Sequence, residues 1–88
     1  MKVLYTKVFS KDVDKIKDKK LRSVIKSCVI KIEESSEIRD IPNVSKIQGH
    51  KDFYRIRIGN YRLGFEIEGS TIWLMRFLKR EDIYKYFP

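Results

Sequence analysis

The sequence predicts an α+β fold: an N-terminal strand, an α-helical hairpin, and a three- to four-stranded antiparallel β-meander with the helices on one face. Three observations carry this expectation. Apolar residues recur at helical spacing from Val13 to Ile32, and from Val44 the apolar period shortens to two. Gly59-Asn60 and Gly69-Ser70 then cut the second half into segments of hairpin length. The 88 residues are expected to form a single domain, 1–88. A domain this size buries roughly 60–65% of its unfolded surface, so a surface groove is a more economical site than a deep cavity.

Val3, Tyr5 and Val8-Phe9 mark a short β-rich opening, read as the first strand. Ser10 is placed to cap the following helix, with Asp12 and Asp14 near its positive N-terminal end. The helical face comprises Val13, Ile16, Leu21, Val24, Ile25, Cys28 and Ile32, and the charged run Asp18-Lys19-Lys20 predicts a break into two helices. Cys28 lies on this apolar stripe and reads as a buried structural thiol rather than a nucleophile. The helix ends near Glu34–Ser36, and Pro42 and Asn43 break the chain before the meander. Strands are expected over Phe53–Ile58, Tyr61–Glu68 and Thr71–Phe77, and residues 80–86 are expected to form one or two helical turns.

Lysine and arginine number 20 against 12 acidic residues, for a net charge of +8. An excess of this kind favours a polyanionic partner. It divides evenly, with 11 basic and 7 acidic groups in residues 1–44 and 9 and 5 in residues 45–88. The kind of base differs, however, because Arg55, Arg57, Arg62, Arg76 and Arg80 all fall in the second half. One cysteine and one histidine allow no intramolecular disulfide and no thiolate metal cluster. No stretch approaches the ~20 apolar residues of a membrane span, and residues 1–9 do not read as a secretory signal. A cytoplasmic protein with no metal and no cofactor is expected.

The candidate site follows from the first hairpin. A two-residue turn at Gly59-Asn60 sets Arg57 opposite Arg62, Ile56 opposite Leu63 and Arg55 opposite Gly64. Side chains alternate along a strand, so Arg55, Arg57 and Arg62 share one face. Tyr54, Ile56, Ile58, Leu63, Phe65 and Ile67 share the other, the expected core. Like charges directly opposed across a sheet repel by roughly 0.2–1 kcal/mol, and a bound anion would relieve that cost. Gly64 is expected to leave space beside Arg55 for a ligand backbone. Arg80 offers a planar fork for phosphate and Tyr84 a ring for a base. Lys46, Lys51, Arg76 and Lys79 extend the basic surface expected to meet RNA. Trp73, on the arginine side of the last strand, is a candidate stacking platform or a hydrophobic cover. Phe87 is read as docking the tail onto the core, and His50 as an exposed loop residue.

Lys46-Ile47-Gln48-Gly49-His50, Tyr54-Arg55-Ile56-Arg57-Ile58-Gly59-Asn60-Tyr61-Arg62-Leu63, and Lys79-Arg80 with Ile83-Tyr84 resemble the RelE/ParE toxin superfamily. The likeness spans essentially the whole chain. In RelE-like members it implies a ribosome-dependent mRNA endonuclease in which the substrate 2′-hydroxyl attacks the adjacent phosphodiester without a metal. The resemblance aligns Arg55 and Arg57 with two basic strand positions, Arg62 with an arginine on the next strand, and Arg80 and Tyr84 with a late arginine and tyrosine. It implies charge stabilisation by Arg57, Arg62 and Arg80, proton transfer near Arg55, and stacking by Tyr84.

Both strand positions are lysine in the best-known RelE pattern and arginine here, and arginine is a poor general base. The implied partners are the ribosome, mRNA and an acidic antitoxin encoded in an adjacent gene, with no membrane. Two alternatives stand beside this reading. One is a ParE-like toxin that binds DNA gyrase and cleaves nothing. The other is a degenerate member that only binds its antitoxin.

Overall fold

The computed structural model describes all 88 residues. Its elements run β1 (Lys2–Tyr5), α1 (Lys7–Asp14), α2 (Lys19–Glu34), a 3₁₀ turn (Ile38–Asp40), β2 (Val44–Lys46), β3 (Phe53–Ile58), β4 (Tyr61–Glu68), β5 (Thr71–Lys79) and α3 (Arg80–Tyr86). The helical hairpin and the antiparallel meander are both present. No helix is long and apolar enough to cross a membrane.

Two boundaries near the start differ from expectation. Val8 and Phe9 belong to α1, not to the first strand, and Ser10 lies within the helix. The cap is Thr6, whose Oγ1 accepts from the Phe9 N–H at 3.0 Å and donates to the Met75 carbonyl at 3.2 Å. Thr6 thus ties the helix start to β5, and Phe9 enters the core from a helical position. Tertiary packing overrides the local β preference of Val8-Phe9. The break between the helices lies where charge predicted it. Asp18 caps α2 by accepting from the Lys20 and Leu21 N–H groups. Arg22 Nη1 donates to the carbonyls of Val13 and Ile16, satisfying the exposed end of α1.

The sheet order is β1-β5-β4-β3-β2. The first hairpin has the expected register, with Arg57 opposite Arg62 and Arg55 opposite Gly64. Gly59 adopts φ +57, the left-handed conformation needed at the first position of such a turn. β5 runs two residues beyond the expected Phe77. Its pairing with β4 is irregular between Gly64 and Phe65, where Met75 is skipped in the register. β1 joins the far edge of β5 in parallel, with Val3 opposite Ile72.

One face of the sheet packs on the helix pair. Ile56, Ile58, Leu63 and Phe65 are buried with Phe9, Ile16, Ile25 and Ile32, and Tyr54 and Ile67 pack against them. The opposite face is not uniformly wet. α3 folds back on it, and Ile83 and Phe87 form a second cluster with Ile47, flanked by Phe53, Met75 and Leu78. The helix pair covers one face as expected, while the tail helix covers part of the other.

Candidate nucleic-acid interface

Arg55, Arg57, Arg62, Arg80 and Tyr84 line one groove of about 450 Å³, completed by Asn43, Val44 and Ser45. Three sequence-distant pieces make it. β3 and β4 present the strand arginines by alternation, α3 brings Arg80 and Tyr84, and the β2 approach supplies the rim. The start of α3 is pinned by the Arg80 N–H, which donates to the Asn60 carbonyl at 2.8 Å. That bond joins the tail helix to the hairpin turn that sets the register of Arg57 and Arg62.

Three of the groove arginines are held by side-chain contacts. Arg62 Nη1 donates to the carbonyls of Gly59 and Tyr61 at 2.9 and 2.8 Å. The Arg57 guanidinium reaches Asn43 Oδ1 at 3.5 Å, and its backbone N–H donates to the Asn43 carbonyl. Asn43 holds φ +62, a left-handed conformation that asparagine tolerates better than most residues. The Arg55 guanidinium lies 5.2 Å from the centre of the Tyr84 ring, within cation–π range. Tyr84 is 58% exposed, so its ring remains accessible to a base.

Positive charge dominates the groove. The three ion pairs of the molecule are Arg39–Glu37, Arg76–Asp12 and Lys85–Asp82, and none involves a groove arginine. Glu66, a possible partner by its place on the face, makes no ion pair with them. The pKa of Arg62 is lowered from its ordinary value, first by desolvation and then by the neighbouring Arg80, Arg57 and Arg55 charges, with Tyr84 opposing. A bound anion would lower the energy of all four guanidinium groups together.

The remaining basic residues are distributed elsewhere. Arg76 is held by Asp12, with Nε at 2.8 Å and Nη2 at 3.2 Å from the two carboxylate oxygens. Asp12 also accepts from the Phe77 N–H, and the other side of the Arg76 guanidinium faces Tyr86. Arg76 is therefore committed to an internal pair and does not join the groove. Lys79 is exposed beside Arg76 and Tyr86 on another depression. Lys46 and Lys51 border a third, with His50. Trp73 is half-buried, paired with Glu66 and Leu4, and lines none of these surfaces.

His50 is exposed and sits edge-on to Phe53 with ring centres 5.8 Å apart, outside the groove lining. The space expected beside Gly64 is filled. A Cβ built on Gly64 would lie 2.6–2.9 Å from the Phe87 ring, so the glycine admits an aromatic ring of the chain itself rather than a ligand backbone. Sequence reasoning missed Asn43 and Ser45 as rim residues; the Pro42-Asn43 breaker was the available signal. Cys28 is half-buried rather than buried, and desolvation raises its pKa.

Residues 3–84 match the family described as ParE toxin of type II toxin-antitoxin system, parDE. The chain is 40% identical over 92 residues to Toxin RelE3 of Methanocaldococcus jannaschii, covering the whole of both chains. It is similar to a chain of the RelB–RelE antitoxin–toxin complex from Methanococcus jannaschii, with a TM-score of 0.80 and 38% identity over 97% of this chain and 99% of that one. A chain of the RelE–RelB complex from Pyrococcus horikoshii shares the fold, with a TM-score of 0.74 and 22% identity over 90% and 93% of the two chains.

Proposed function

This chain belongs to the RelE/ParE superfamily of toxins from type II toxin–antitoxin systems, and we propose that it cleaves mRNA on the ribosome and so arrests translation. The observation that supports this reading is the convergence of Arg55, Arg57, Arg62, Arg80 and Tyr84 on one groove with no carboxylate paired to any of the arginines. Such a groove suits a phosphodiester flanked by an unstacked base.

In the proposed reaction the substrate 2′-oxygen forms a bond to phosphorus and loses its proton, while the bond to the departing 5′-oxygen breaks and that oxygen gains a proton. The products are a 2′,3′-cyclic phosphate and a 5′-hydroxyl end. Negative charge grows on the non-bridging oxygens, and Arg57, Arg62 and Arg80 are disposed to stabilise it. Arg55, held against Tyr84, anchors the phosphate and orients the ring for stacking.

A conventional base is missing from the groove, since arginine keeps its proton and His50 lies outside. General acid–base help is typically worth 10²–10⁴-fold. Cleavage of free RNA by the isolated protein is therefore expected to be slow, and the ribosome is the natural source of further groups. An acidic antitoxin from an adjacent gene is the expected inhibitor, covering the basic face.

The matching family carries the ParE description, which favours a second reading: a ParE-like toxin, for which the resemblance implies DNA gyrase as the target. Arg62→Ala separates the two. The proposed nuclease loses growth arrest in this variant while its far-UV circular dichroism is unchanged. Full arrest by a folded Arg62→Ala protein would contradict it.

A further inference from the structure

The groove is only as well formed as the seating of α3, because that helix supplies Arg80 and Tyr84. Its seat on the sheet is unusually specific. Phe87, just past the helix, is 4% exposed and lies over Gly64. A Cβ at Gly64 would meet the ring at Cδ2, Cε2 and Cγ, at 2.6, 2.7 and 2.9 Å. Contacts this close to three atoms of one rigid ring cannot be relieved by a side-chain rotation alone. Gly64 does not take up a positive φ, so its lack of a side chain is used for space and not for backbone freedom.

Around this slot, Phe53 packs edge-on to Phe87 with ring centres 5.5 Å apart, and Ile47 and Ile83 complete the cluster. Gly64 is paired with Arg55 on β3 and with Arg76 on β5. The ring therefore docks beside the arginine whose guanidinium faces Tyr84. At the other side of the helix end, Tyr86 rests against Arg76, itself held by Asp12 of α1.

We propose that Gly64 and Phe87 are positioning residues: a ring-and-slot contact that sets α3 on the sheet so that Tyr84 and Arg80 face Arg55, Arg57 and Arg62. Neither residue touches the substrate. The role rests on the groove being the RNA site. Placement errors near 1 Å can cost about 10²-fold in rate, so removing the slot disables a groove whose polar residues are all intact.

The test pairs Gly64→Ala with the double variant Gly64→Ala/Phe87→Leu, in which the smaller side chain makes room for the added methyl. Seating is read by NMR from the ring-current shift of the Gly64 Hα protons in the wild type and from contacts between the Tyr84 ring and the Arg55 side chain in all three proteins. RNA binding is read with a 2′-O-methyl oligonucleotide, which cannot be cut.

Gly64→Ala is expected to lose the Tyr84–Arg55 contacts, to bind the oligonucleotide about tenfold more weakly and to cleave about 10²-fold more slowly, with the helix pair undisturbed. The double variant is expected to regain the contacts and most of the binding. Retention of contacts and binding by Gly64→Ala overturns the proposal. So does a double variant that regains the contacts without the binding. Wild-type protein that binds no RNA, while Gly64→Ala still releases the helix, removes the RNA reading and this role with it. That result is distinct from failure of the docking itself, in which the helix stays in place.

Discussion

Arg57 and Arg62 face each other across the first hairpin with no acid between them, and the tool that placed them there is a two-residue turn. Because the turn fixes register, the strand arginines were legible from the sequence as a set. Arg62 is disfavoured in its charged form by burial and by three other arginines, so its folded pKa lies below its unfolded one. A guanidinium keeps its proton in folded and unfolded proteins alike, so this cost to the fold is constant over roughly pH 6–9 and would be relieved only as pH rose through the folded pKa. Arg62→Gln is accordingly expected to leave the free protein unchanged or more stable by up to about 1 kcal/mol in urea unfolding at neutral pH. Sulfate should stabilise the wild type more than the variant. A clearly destabilised Arg62→Gln would show that the arginine is a structural residue.

Asp12 behaves oppositely. It is 6% exposed and satisfies both the Arg76 guanidinium and the Phe77 N–H. Asp12→Ala is expected to cost about 3 kcal/mol, measured by urea denaturation, because a cation and a buried backbone donor lose their partner together. A loss under about 1 kcal/mol would mean that water replaces the carboxylate readily. The pairing of Arg76 was not legible in the sequence because its partner lies 64 residues away, and a charge count sees only excess.

At the level of elements, the outcome divides between local and distant causes. Asp18 announces the start of α2 through its own side chain, and the glycine-led turns divide the meander, so both were visible in short windows. The start of α1 was not, because Thr6 is selected partly by its bond to the Met75 carbonyl, 69 residues on. The parallel pairing of β1 with β5 is likewise set by assembly and not by either segment. Gly64 shows the same limit at the site, since a glycine in a strand advertises space without saying what fills it. Cys28, on the inner side of α2, has its pKa raised by desolvation. Its alkylation by iodoacetamide at mildly alkaline pH should be roughly tenfold slower or more in the folded protein than in urea. Equal rates would contradict the burial assigned to that face.

For the molecule as a whole, a net charge of +8 says only that a polyanion is a plausible partner. The proposed RNA partner is supported by the concentration of four arginines without a paired carboxylate and one exposed tyrosine in a single groove, while Lys46, Lys51 and Lys79 lie on other surfaces. Affinity for a single-stranded oligonucleotide should fall with salt at a slope of about −0.7 per phosphate neutralised, and Arg62→Ala should reduce that slope by about 0.7. A response independent of salt would remove the polyanion from the account.

The most direct measurement is to induce this gene alone in a bacterial host and map new mRNA 5′ ends against the reading frame, beside Arg62→Ala. In-frame cuts confined to translated regions, and absent in the variant, are the predicted result. Growth arrest with no new ends, accompanied by DNA-damage signalling, would contradict cleavage and assign the toxin to gyrase.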